Sequence, residues 1–142
     1  MAYTFPRHAV FREDLKRGNT MSRPIQVMLV EDEALLAILL QKNLQSLGYE
    51  VSGPYATGEE AVEEARKNRP DVVLMDIRLA GALDGIEAAE KIMAMHNTPI
   101  IFMTGYSDVE TIARAQALNP AAYLVKPVSK EYIKSVIDTL FK

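Results

Sequence analysis

Four stretches of this chain place polar groups directly behind runs of apolar residues. Glu31-Asp32-Glu33 follows Ile25–Val30, Asp76 follows Val72–Met75, Thr104-Gly105 follows Ile100–Met103, and Lys126-Pro127 follows Ala122–Val125. Taken singly, each has an ordinary explanation. An Asp there is usually a turn or cap residue, a Thr-Gly pair a turn, and a Lys a solvated charge. Four together, each at the end of an apolar run, make a candidate site. Two carboxylates ~4 Å apart repel by about 4 kcal/mol at an effective dielectric near 20, so a gathered acidic set calls for a cation. Oxygen ligands without histidine or cysteine favour Mg²⁺ over zinc. A Lys126 ammonium and a Thr104 hydroxyl facing that cation would cradle a phosphoryl group. The chemistry such a set suggests is phosphoryl transfer, with a carboxylate as the expected acceptor.

The elements that must position these groups are short and regular. Ile25–Val30, Val72–Met75, Ile100–Met103 and Ala122–Val125 are nearly all-apolar, as expected of parallel strands covered on both faces. Glu50–Gly53 is a weaker strand candidate. Helices are expected at Ala34–Leu47, Glu59–Lys67, Gly85–Met95, Asp108–Leu118 and Ser129–Phe141. The first sets Leu36, Leu40, Leu44 and Leu47 on one face and stops at Gly48. The third groups Ile86, Ala89, Ile92 and Met93, and the last aligns Ile133, Val136, Ile137 and Leu140 behind a Ser129 cap. Ser107 or Asp108 would cap the fourth. Pro70, Pro99, Pro120 and Pro127 all fall between elements. Five strand–helix units in succession predict a doubly wound α/β fold with a parallel sheet. In such a sheet, ligands bind beyond the carboxyl ends of the strands, where the four polar stretches fall.

Composition narrows the function further. The chain has 142 residues, 49% hydrophobic and 25% charged, which suits one globular domain with a tail. There is no cysteine, which excludes disulfides and thiolate metal sites. The two histidines, His8 and His96, lie far apart and are expected to be tail and surface residues. Residues 1–24 carry five basic and two acidic groups and show no apolar period, so they read as a tail, disordered or packed opportunistically, a solvated extension more than a basic arm touching a membrane or partner; Met21 offers an internal start. Residues 25–142 hold eleven basic and seventeen acidic groups. An acidic body is a poor surface for a nucleic-acid backbone, so direct nucleic-acid binding is not expected. No apolar run approaches the ~20 residues of a membrane span, and residues 1–24 lack the apolar stretch expected of a signal peptide; the expected location is the cytoplasm.

The stretch from Ile25 to Phe141 resembles a response-regulator receiver domain of the CheY-like kind. The motifs that carry the likeness are Leu29-Val30-Glu31-Asp32-Glu33, Val73-Leu74-Met75-Asp76-Ile77, Asp84-Gly85, Met103-Thr104-Gly105 and Tyr123-Leu124-Val125-Lys126-Pro127. The resemblance implies a flavodoxin-like five-stranded parallel sheet of order 2-1-3-4-5, with the receiver at residues 25–142. It implies that Asp76 accepts a phosphoryl group from phosphohistidine on a sensor histidine kinase or a histidine phosphotransfer protein. Asp32 would ligate Mg²⁺ directly and Glu31 mainly through water. Asp76 and the backbone carbonyl of Arg78 would complete the protein ligands. Lys126 would pair with a phosphoryl oxygen, and Thr104 would bind another and sense phosphorylation. Tyr123 occupies the aromatic switch position and would turn inward when Thr104 moves. Pro127 would follow a cis peptide.

Several features separate this chain from neighbouring families and from the commonest receivers. Arg78 stands where a haloacid-dehalogenase phosphatase has a second Asp, and no glycine-rich P-loop is present. Gly81-Ala82-Leu83-Asp84-Gly85 is a loop and helix start. The loop after Asp76 lacks the usual proline and is one residue longer before Asp84-Gly85. Phe102-Met103-Thr104-Gly105-Tyr106 resembles a receiver subclass with a Phe-Ala-Thr-Gly motif, in which the fourth helix is mobile. Arg78 and Tyr106 hold positions that tune access of hydrolytic water in the family. The expected function is a single-domain receiver whose output is a protein contact through the fourth helix, fifth strand and fifth helix. The rivals are a phosphorylation-independent interaction module, suggested by the altered loop, and a receiver fragment of a larger hybrid kinase or regulator.

Overall fold

Alternate side chains of a strand point to opposite faces, and here both faces are apolar. In the computed structural model, which describes residues 23–105 and 108–142, Gln26–Val30 (β1), Glu50–Tyr55 (β2), Val72–Asp76 (β3), Ile100–Thr104 (β4) and Ala122–Val125 (β5) form one sheet. All of its strand pairs are parallel, and its order is β2-β1-β3-β4-β5, as expected. The intervening helices are Ala34–Ser46 (α1), Gly58–Lys67 (α2), Gly85–Met95 (α3), Val109–Ala117 (α4) and Lys130–Leu140 (α5).

The strands divide their side chains between two cores. Val27, Leu29, Val72, Leu74, Ile101 and Met103 face one side, where Leu40 and Leu44 of α1 and Ile133, Ile137 and Leu140 of α5 cover them. Met28, Val30, Val73, Met75, Ile100 and Phe102 face the other, beneath Ala61 and Ala65 of α2, Ile86, Ala89 and Ile92 of α3, and Ala115 of α4. Burying a Leu or Ile side chain in this way contributes roughly 1.5–3 kcal/mol. The helix starts follow local chemistry. Thr57, Asp84, Asp108 and Ser129 each accept a backbone N–H three residues on. Asp84 and Glu87 do so reciprocally, as a capping box. The start of α1 differs: its N-cap, Glu33, makes no side-chain cap, and the Glu33 N–H instead donates to Glu31 Oε2 at 3.1 Å.

The structure departs from the sequence expectation at three places. β2 runs on past Gly53 through Pro54 to Tyr55, because a register shift opposite Met28–Val30 absorbs the irregularity. Gly53 has φ +100°, and a Cβ there would lie 2.5 Å from the Leu29 carbonyl oxygen. The Gly53-Pro54 and Lys126-Pro127 bonds are both cis; only the second was expected. Arg23, within the segment read as a disordered or opportunistically packed tail, pairs with Asp71 at 3.2 Å, a contact that reading allows, and Asp71 also accepts the Gln26 N–H. His96, expected at the surface, ends α3 half-buried, and its Nε2 is buried with no hydrogen-bond partner among the described residues. His8, Met21, Tyr106, Ser107 and the rest of the tail before Arg23 lie outside the described residues.

Candidate functional site

β1 and β3 are adjacent, but the chain leaves β1 towards β2 and leaves β3 towards β4. The crevice at this reversal is where a doubly wound sheet binds ligands. Glu31 and Asp32 emerge from β1 on one side of it, and Asp76 is the last residue of β3 on the other. Thr104 ends β4, and its carbonyl accepts the Lys126 backbone N–H at 2.8 Å, so the end of β5 is held to β4 at the site. Glu31, Asp32, Asp76, Arg78, Thr104 and Lys126 thus border one open depression of about 380 Å³.

Lys126 organises the acidic groups. Its Nζ donates to Glu31 Oε1 at 2.8 Å and to Asp76 Oδ2 at 3.1 Å. Glu31, 2% exposed, accepts from Lys126 at one oxygen and from the Glu33 N–H at the other, whereas Asp32 stands exposed on the rim. Carboxylate oxygens of Glu31, Asp32 and Asp76 lie within 4.8 Å of one another. These are hard oxygen donors with no nitrogen or sulfur among them, a set that fits Mg²⁺. Burial and then the neighbouring Glu31 charge push the Asp76 carboxyl up from 3.8 to about 7, against the downward pull of Lys126. Burial disfavours the Lys126 charge, but its hydrogen bonds to the Glu31 and Asp76 carboxylates outweigh it and hold the ammonium above its usual value.

The loop after Asp76 is fixed from both ends. Gly85 packs on the Asp76 backbone so closely that a Cβ would lie 2.0 Å from the Asp76 carbonyl oxygen, and its N–H donates to Ile77 O at 2.7 Å. Further along, Glu59 Oε2 accepts the Ala82 N–H at 3.0 Å, and Thr57 bridges to Ala80. Sequence reasoning missed this anchoring by α2. Its local signal was weak: Glu59 reads as one more acidic residue in a first helical turn. Thr104 is buried at the end of β4. Tyr123 is half-buried against the core under α2–α4, and its hydroxyl is already buried with no partner among the described residues. Tyr106 lies outside the described residues. Every expected site residue among the described ones borders the depression except Tyr123, which lies behind it.

Comparison with known proteins agrees with this geometry. A family model described as the response regulator receiver domain matches residues 27–138. The transcriptional regulatory protein PdtaR of Mycobacterium tuberculosis is 41% identical over 106 residues, which cover 75% of this chain and 51% of PdtaR. The chain therefore spans about half the length of that relative. Among solved structures, the signal receiver domain of a modulated diguanylate cyclase from Desulfovibrio desulfuricans superposes with a TM-score of 0.80 at 46% identity, covering 84% of this chain and 94% of that one. The receiver domain of the sensor histidine kinase PA1611 from Pseudomonas aeruginosa, solved with a magnesium ion coordinated in its active site cleft, gives 0.76 at 30% identity, covering 84% and 98%. No helix among the described residues is long and apolar enough to cross a membrane.

Proposed function

The chain belongs to the response regulator receiver domain family of two-component signalling, and from that membership we propose that it is switched by a phosphoryl group accepted on Asp76. The observation that carries the reading is the Lys126 ammonium held between Glu31 and Asp76, with the Asp32 carboxylate beside them on the open rim. The donor is phosphohistidine on a sensor kinase or phosphotransfer protein. An Asp76 oxygen forms the new O–P bond as the N–P bond breaks, and the imidazole nitrogen keeps the electron pair of that bond. Asp32, Asp76 and the Arg78 backbone carbonyl would hold Mg²⁺, with Glu31 reaching it through water. Bound Mg²⁺ would supply positive charge to offset the carboxylates and the phosphoryl oxygens.

The protein's own groups do the rest. Lys126 draws the Asp76 carboxyl part of the way back towards its ionised form against burial and is placed to pair with a phosphoryl oxygen. The Thr104 hydroxyl would bind a second oxygen, and Tyr123 behind it would respond to its movement. The face formed by α4, β5 and α5 carries exposed Val109, Val125 and Tyr132, apolar groups that suit a downstream protein contact. Incubation with acetyl phosphate and Mg²⁺ should give an acid-stable, base-labile phosphoprotein. Lack of such a species, or label surviving in Asp76→Asn, would overturn the reading.

A further inference from the structure

Asp84 uses its two carboxylate oxygens for different contacts. Oδ1 accepts the Glu87 N–H at 2.8 Å and closes the cap of α3. Oδ2 accepts from Arg114 Nη2 of α4 at 2.9 Å. The residue after Asp84 is Gly85, which sits against the Asp76 backbone with no space for a Cβ. Little slack therefore separates Asp76 from the Asp84 carboxylate. On the far side of the pair, α4 has little apolar hold. Ala115 is its buried residue, and Val109 is 83% exposed. By contrast, α3 buries Ile86, Ala88, Ala89 and Ile92. A helix held so lightly is drawn from the low-stability end of a fold, and a single ion pair can bias its position.

We propose that the Asp84–Arg114 ion pair is a latch that ties α4 to the loop following Asp76 and transmits a change at Asp76 to that helix. The transmission rests on the reading of Asp76 as the phosphoacceptor; the latch itself does not. Glu87 and Glu110 add attraction at Arg114, so two variants are needed to isolate the pair. Arg114→Gln removes the cation. Asp84→Asn removes the charge but keeps a side-chain oxygen for the cap of α3.

Amide hydrogen exchange of the full chain, read by mass spectrometry on peptides covering residues 109–117, tests both parts. A partly exposed pair predicts exchange about two- to fivefold faster in α4 for either variant. The double variant should be no faster than the singles, and α1 and α5 should be unchanged. Unaltered exchange in α4, or effects that add in the double variant, would overturn the latch. With Mg²⁺ and beryllofluoride, α4 exchange should change in the parent protein, and by less than half as much in Arg114→Gln at equal occupancy, followed by fluorine NMR. A full response in Arg114→Gln would overturn the transmission. Failure of beryllofluoride to bind the parent would overturn the phosphoacceptor reading and the transmission with it, while faster α4 exchange in the unliganded variants would still support the latch.

Discussion

Replacing Asp76 with Asn should stabilise the metal-free protein, and the gain should depend on pH. The Asp76 side chain is 7% exposed, and burial together with Glu31 raises its carboxyl from 3.8 to about 7 despite Lys126. A carboxyl raised on folding binds its proton more tightly in the native state. Its contribution to stability is therefore full below about pH 4, falls as pH rises from about 4 to 7, and stays low above that. The difference of about three pH units corresponds to about 4 kcal/mol. The mouth of the site is open to water, and screening there reduces the expected effect to about 2 kcal/mol. Asparagine resembles the protonated acid in shape and cannot ionise, so the variant escapes the loss. Urea unfolding in EDTA, followed by circular dichroism, should show the variant's advantage growing by about 2 kcal/mol between pH 4.5 and 8.5. A gap that does not change with pH, or a variant less stable at pH 8.5, would refute the reasoning.

The acidic cluster also predicts that Mg²⁺ raises the melting temperature by mass action, by the equivalent of about 2.7 kcal/mol at a hundredfold excess over Kd. Asp32→Ala should remove that gain in a thermal melt without lowering metal-free stability, since Asp32 stands exposed beside two other carboxylates. Gly85→Ala must push a methyl group into the Asp76 and Ile77 backbone, at 2.0 and 2.8 Å. It should cost at least about 2 kcal/mol in urea unfolding and weaken the Mg²⁺ response as well. Ser129→Ala removes the acceptor of the Tyr132 N–H, 3.0 Å away and far from the cluster. It should lower stability by about 1 kcal/mol while leaving the Mg²⁺-dependent shift intact.

Much of this architecture was legible because it is encoded locally. The apolar run Val72–Met75 is a strand covered on both faces, and the polar residue that follows must lie at the sheet edge. Helix starts at Ser129 and Asp108 could be read from their capping side chains. β2 was read too short because Gly53-Pro54 looks like a turn in isolation. Tertiary pairing carries it on to Tyr55, whose carbonyl accepts the Glu31 N–H at 2.9 Å. His96 appeared to be surface because a lone histidine after a helix carries no burial signal; packing at the end of α3 buries its Nε2.

By itself, then, the sequence determined which segments are strands and helices, which faces are apolar, and that three acidic residues, a threonine and a lysine stand at strand ends. Those properties depend on neighbours a few residues apart. Only the tertiary structure decided that Lys126 reaches Glu31 and Asp76 at once, across separations of 95 and 50 residues. It also decided that Glu31 is buried while Asp32 is exposed, and that Asp84 holds Arg114. Register, distance and local dielectric arise from long-range packing. They turn a set of side chains at strand ends into a charged cluster with a shifted proton equilibrium.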